Sequence, residues 1–171
     1  MSRSIEQNRY NRNLCKIRNY GQDILQDVGF LNSKNSIQHG TVSVMEHSIA
    51  VAQCALEISE KLPFSVREKE LVRGALLHDY FLYDWHDKEV TWRNIVRFYE
   101  MHGFTHPSTA LTNAKKQFKL TKREEDIIKK HMWPLTVKFP ACREAWVVTM
   151  ADKYCSLLET FRIRKGNIHY N

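Results

Sequence analysis

The chain has no CxxC pair, no internal repeat and no low-complexity tract, and no apolar run long enough to span a membrane. With only 6 Gly and 4 Pro in 171 residues it has no linker rich in either, so it reads as one domain over 1–171. Four cysteines (Cys15, Cys54, Cys142 and Cys155) are too widely spaced for a zinc knuckle or a small disulfide framework. They are expected to be reduced and mostly buried. The opening residues, MSRSIEQNRYNRN, lack the apolar segment of a secretory signal, which points to the cytoplasm. Zinc-finger and RNA-recognition signatures are also missing, so nucleic acid is a disfavoured partner.

What is present is ordinary for a globular protein. Apolar content of 43% is enough for a buried core, and charged content of 26% argues against disorder. The net charge of +7 favours an anionic partner, such as a phosphorylated metabolite. Lys115-Lys116, Lys129-Lys130 and Arg162 to Lys165 are short, scattered clusters that read as solvated helix faces.

Apolar positions recur at helical spacing almost throughout, so the expected fold is all-α, a compact bundle of six or seven helices. An N-terminal helix over about 4–30 carries Leu14, Ile17, Ile24 and Val28. A second follows His39-Gly40, with Val44, His47, Val51, Ala55 and Ile58 on one face, and ends near Pro63. A third runs through Leu71, Gly74, Ala75 and His78 into the aromatic stretch YFLYDWH. The fourth has Trp92, Ile95, Val96 and Tyr99 and stops at Gly103. Pro107 suits the first turn of a fifth, just after His106. Thr121 and Glu124 make a capping box for a sixth, whose stripe is Ile127, Ile128 and His131 before Pro134. The last starts after Pro140 and carries Ala145, Val148, Asp152, Cys155 and Leu158.

Four polar residues break this pattern. His47, His78, His131 and Asp152 each fall on the inward stripe of a different helix. A buried carboxylate such as Asp152 has to be paired, hydrogen-bonded or metal-bound, because isolated burial costs several kcal/mol. A single inward histidine is more often a satisfied core residue than a ligand. Four such residues on four helices are the way bundles build metal sites, and the adjacent His78-Asp79 adds a second carboxylate.

The order His47, His78-Asp79, Asp152 resembles the signature of the HD superfamily of metal-dependent phosphohydrolases, which are all-helical. The flanking stretches MEHSIAVA, GALLHDY and VVTMADKY support the likeness, which covers about residues 37–160. His106, in GFTHPSTA, and His131, in IIKKHMWP, look like the additional ligands of the dinuclear H…HD…H…H…D branch. That branch includes bacterial HD-type diadenosine tetraphosphate hydrolases, cyclic-dinucleotide phosphodiesterases and inositol-oxygenase-like diiron oxygenases. The resemblance implies His47, His78, Asp79 and Asp152 around one divalent metal. It further implies that Asp79 bridges to a second metal held by His106 and His131.

Imidazole and carboxylate ligands suit iron, manganese or another first-row metal, and the lack of cysteine ligands argues against structural zinc. Two such ions can activate water and clamp phosphate oxygens. Lys153, beside Asp152, is the first candidate for a phosphate contact, although on a helix it points about 100° away. One departure stands out: several relatives carry HD-x-x-K, and Leu82 occupies the lysine position here. The nearby Tyr83, Asp84, Trp85 and His86 could stack a nucleobase, though capping the core is the simpler role. His39 reads as a loop residue, and His102 as a helix-end residue beside Gly103.

Hydrolysis of a phosphoester or phosphoanhydride in a small molecule, a nucleotide first, is therefore the expected function. A diiron oxygenase shares the six-ligand pattern, and a non-catalytic regulatory module shares the fold.

Overall fold

The computed structural model describes residues 2–39, 41–80, 106–161 and 163, without the side chains of residues 2, 3, 39 and 106. Eight α-helices and one small hairpin lie among the described residues, so the protein is all-α apart from that hairpin. The helix expected around Trp92 to Tyr99, its stop at Gly103, and Leu82 to His86 lie outside the described residues.

The N-terminal region corrects the single helix expected over 4–30. It is three pieces: α1 (Ser2–Tyr20), α2 (Gln22–Leu25) and α3 (Val28–Asn32). α1 stops where the chain presses against the core, since a Cβ on Gly21 would meet Leu76 Cδ1 at 2.4 Å. Asp27 then restarts the chain as an N-cap, its carboxylate accepting the Phe30 N–H at 2.9 Å. The two breaks change the helical phase. Phe30 becomes the buried residue and Val28, expected inside, is 70% exposed.

A short turn follows, and then the unexpected hairpin, β1 (Ile37–His39) antiparallel to β2 (Val42–Ser43). Strands this short leave no readable alternation. Ser43 also caps α4 (Val44–Ser59): its hydroxyl accepts the Glu46 N–H while Glu46 returns to the Ser43 N–H at 2.9 Å.

α5 (Glu68–Leu77) runs to His78, and α6 (His106–Gln117) has Pro107 in its first turn. α7 (Lys122–Lys130) opens with the expected Thr121–Glu124 capping box, and α8 (Arg143–Thr160) completes the order. α4 packs on α5 and α8, and α7 packs on both of those partners as well. Leu56, Leu71, Leu76, Leu77, Ile127, Ile128 and Val148 are fully buried between these four helices. The helices that enclose the core are thus the ones bearing His47, His78, His131 and Asp152.

No disulfide joins the cysteines, but only Cys155 is buried; Cys15 is exposed, and Cys54 and Cys142 are half-buried. The expectation of mostly buried thiols fails because Cys15 sits on the solvent side of α1. No helix among the described residues is long and apolar enough to cross a membrane.

Two contacts fix α5 against its neighbours. Arg73 is buried and its guanidinium donates to Glu124 at 2.8 Å and to Asp23. Burial disfavours this charge, but the two carboxylates outweigh burial and hold Arg73 above its ordinary value. One residue on, Gly74 lies under Ile127 of α7, where a Cβ would stand 2.4 Å from Ile127 Cδ1 and 2.9 Å from its Cβ. The Ile127 branch point cannot swing aside, so alanine at position 74 must push the helices apart. Gly74→Ala is expected to cost about 1–3 kcal/mol, the range for overpacking a core. Urea denaturation would check this, and an unchanged midpoint would show that the contact is soft.

Candidate metal centre

Two of the inward histidines are placed by the same local device. His78 follows the last residue of α5 and His131 the last residue of α7, each as the helix C-cap. Carbonyls in a final helical turn lack intrahelical partners. In each case the ring donates its Nδ1–H to the carbonyl three residues back, Ala75 at 2.7 Å and Ile128 at 2.8 Å. A carbonyl can only accept, so Nδ1 carries the proton and Nε2 is left facing the core.

His47, in the first turns of α4, reaches the same arrangement through a side chain. Its Nδ1 lies 2.8 Å from Glu159 Oε2, on the C-terminal part of α8. Its Nε2 lies 3.2 Å from Asp152 Oδ1. The His47 and His78 ring centroids are 5.4 Å apart, and those of His78 and His131 are 4.9 Å apart. His47, His78 and Asp152 each offer one ligand atom, all within 4.8 Å of one another, and all three residues are buried.

Asp79 stands between this group and His131. Its Oδ2 is 3.3 Å from His78 Nε2 and 4.0 Å from His47 Nε2, whereas its Oδ1 faces His131 Nε2 at 3.4 Å. Five of the residues expected from sequence (His47, His78, Asp79, His131 and Asp152) therefore meet in one buried cluster. His106 opens α6, but its side chain lies outside the described atoms, as does that of His39; His102 is outside altogether.

Lys153 does not point away, as its helical position suggested. Its Nζ folds back to Asp152 Oδ2 at 2.9 Å and to the His131 carbonyl at 3.3 Å, with the side chain 40% exposed. Of the aromatic stretch, Tyr80 is buried and donates to Asp27 Oδ1 at 2.6 Å, so this ring caps the core.

Sequence reasoning missed two neighbours. Glu159 is 1% exposed and continues the inward stripe Val148, Asp152, Cys155 by one more turn. Leu158, taken for that stripe, is only half-buried. Following the stripe's spacing past Cys155 would have found the glutamate. Gln38 on β1 donates to Asp79 Oδ2 at 2.6 Å, and no sequence signal marks it.

The electrostatics are those of a site made for cations. Burial disfavours charge on His47, His78, Asp79 and Asp152, but mutual attraction outweighs it. Asp79, beside His78 and His131, is held well below the ordinary carboxylate range, and so is Asp152, beside His47 and His78. His78 is pushed up to about 10 by Asp79 and Asp152, and His47 is raised by Asp152 and Glu159. Without a metal, protons on His47 and His78 offset the charge of Asp79 and Asp152. His78 Nε2 nevertheless makes no hydrogen bond, although it is buried and faces carboxylate oxygens. Three Nε2 atoms turned inward among two carboxylates match the nitrogen and oxygen donors that divalent first-row ions prefer. The residues fit a metal.

The helical bundle closes around this His and Asp cluster, a buried candidate site for a divalent metal. The family model of the HD domain matches residues 44–157, and the chain belongs to that family, whose superfamily comprises metal-dependent phosphohydrolases. The matched stretch contains all five clustered residues, whereas Gln38 and Glu159 fall outside it. No curated protein and no solved structure matches the chain.

The proton balance has a measurable consequence. His78 has a folded-state value above 6.5, so its contribution to stability is complete below 6.5 and lost as pH rises through about 10. Asp79 and Asp152 act in the opposite sense, contributing above their ordinary 3.8 and losing that contribution in acid. Metal-free protein should therefore melt at lower temperature as pH goes from 6.5 to 10, and saturating Mn2+ should flatten the decline. Calorimetry in both states would test this; parallel curves would mean that metal and protons do not share the site.

Proposed function

We propose that the chain is a phosphohydrolase acting on a small phosphorylated molecule, a nucleotide first. We take it to work with two divalent ions, iron or manganese, in the cluster. The observation that carries this reading is the placement of Asp79, whose two oxygens face different imidazole groups. Oδ2 serves the His47, His78 and Asp152 side, and Oδ1 serves the His131 side. With two ions bound, Asp79 would be shared between them. On this reading His106, at the start of α6, joins His131 at the second ion.

Bound ions of this kind supply a water nucleophile at neutral pH and neutralise charge on the departing phosphate oxygens. The rest falls to the protein. His47, His78 and His131 present pre-oriented Nε2 lone pairs because their Nδ1–H groups are already committed. Asp152 is held from both sides, by Lys153 on Oδ2 and by Ser156 on Oδ1 at 3.2 Å, and cannot rotate away. Gln38 occupies an Asp79 lone pair and limits that carboxylate to one orientation. Lys153 keeps part of its side chain in solvent, so its ammonium is also available to a substrate phosphate. The chain's excess of positive charge favours approach of such an anion.

The test combines metal analysis with a substrate panel. Protein purified without chelator should carry about two first-row ions and release phosphate or nucleotide from nucleotides, dinucleoside polyphosphates or cyclic dinucleotides. Asp79→Ala should lose metal and at least about 1,000-fold in rate, since metal contributions of several kcal/mol correspond to that factor. His131→Ala or His106→Ala should remove one ion and most activity. One ion in wild type would overturn the two-ion part. Oxygen consumption by the iron form, with no phosphate released from any substrate, would favour a diiron oxygenase instead.

A further inference from the structure

The three inward imidazoles are not equivalent. His78 and His131 give their Nδ1–H to backbone carbonyls, which are neutral acceptors. His47 alone gives its Nδ1–H to a carboxylate, Glu159, at 2.8 Å, and the ring and that carboxylate are both fully buried. An anionic acceptor in a low-dielectric setting strengthens the hydrogen bond and pushes electron density onto Nε2, which makes the ring a more basic ligand. His47 Nε2 faces Asp152, and these two with His78 offer ligand atoms within 4.8 Å of one another. Glu159 thus adds a buried negative charge to one half of the centre. At His131 the acceptor of the Nδ1–H is the Ile128 carbonyl, at 2.8 Å.

We propose that Glu159 is a positioning residue that makes the two metal positions unequal. The position at His47, His78 and Asp152 fills first and tightly; the position at His131 fills second and weakly. Glu159 lies two residues beyond the family-matched stretch. The proposal rests on the two-ion reading above, but its central claim, that Glu159 strengthens the His47 position, does not need the second ion.

The probe is Mn2+ alone, titrated into metal-free protein and followed by the resonance signal of the free ion. Wild type should show two separable affinities. Glu159→Gln keeps an oxygen that accepts the His47 Nδ1–H and removes only the charge. It should weaken the first affinity about 10–100-fold, the usual effect of losing such a partner. The second affinity should stay unchanged. A purely structural role would move both affinities together or neither. Two wild-type affinities with the first unaltered in Glu159→Gln would overturn the assignment. A single wild-type ion weakened by Glu159→Gln would sustain Glu159's role while removing the two-ion reading.

Should Glu159→Gln fail to fold, nuclear magnetic resonance of the Zn2+-loaded wild type decides. One imidazole N–H proton, that of His47, should lie clearly downfield of the other two. Three N–H protons at similar shifts would overturn the proposal.

Discussion

Everything in this fold is arranged around one electrostatic demand. Three carboxylates, Asp79, Asp152 and Glu159, are buried in a bundle whose core is built mainly from apolar side chains. Charges in such a setting cost several kcal/mol each unless matched. Three imidazoles, the Lys153 ammonium, the Gln38 amide and the Ser156 hydroxyl face them. Protons on His47 and His78 offset this charge, divalent ions would do the same, and the two solutions use the same Nε2 atoms. The stability of the core and its capacity for metal are therefore one property. The neighbouring Arg73 clamp is a separate solution to a similar problem, satisfied within the chain by Glu124 and Asp23.

Legibility in the sequence followed the strength of local signals. The Thr121–Glu124 capping box and the stripe Ile127, Ile128, His131 placed α7 because hydrogen-bonding and apolar spacing agree there. Asp152 was conspicuous because Val148 and Cys155 flank it at helical spacing. The N-terminal region was misread because its apolar residues fit one helix if Gly21 and Asp27 are treated as tolerated interruptions. Both are structural: Gly21 makes room for Leu76, and Asp27 caps a new helix. The hairpin carrying Gln38 was invisible because three residues facing two make no periodic pattern.

The cluster was legible as a set of residues but not as a geometry. That His47 answers to Glu159 joins positions 112 residues apart in the chain, and no local rule connects them. Lys153 shows the converse limit. Helical geometry turns its side chain about 100° from that of Asp152, yet its four-carbon stem is long enough to bend back. Spacing rules bind the backbone more firmly than they bind the ends of flexible side chains.

The helix ends at His78 and His131 carry one more consequence. A helix C-terminus concentrates the negative end of the aligned peptide dipoles, about half an elementary charge within its last turn. α5 and α7 both end at the cluster, so two such poles converge on it. This contribution comes from the main chain and does not titrate. A field of that kind persists at every pH and through every side-chain substitution that leaves the helices intact, and it favours a cation before any ligand is counted.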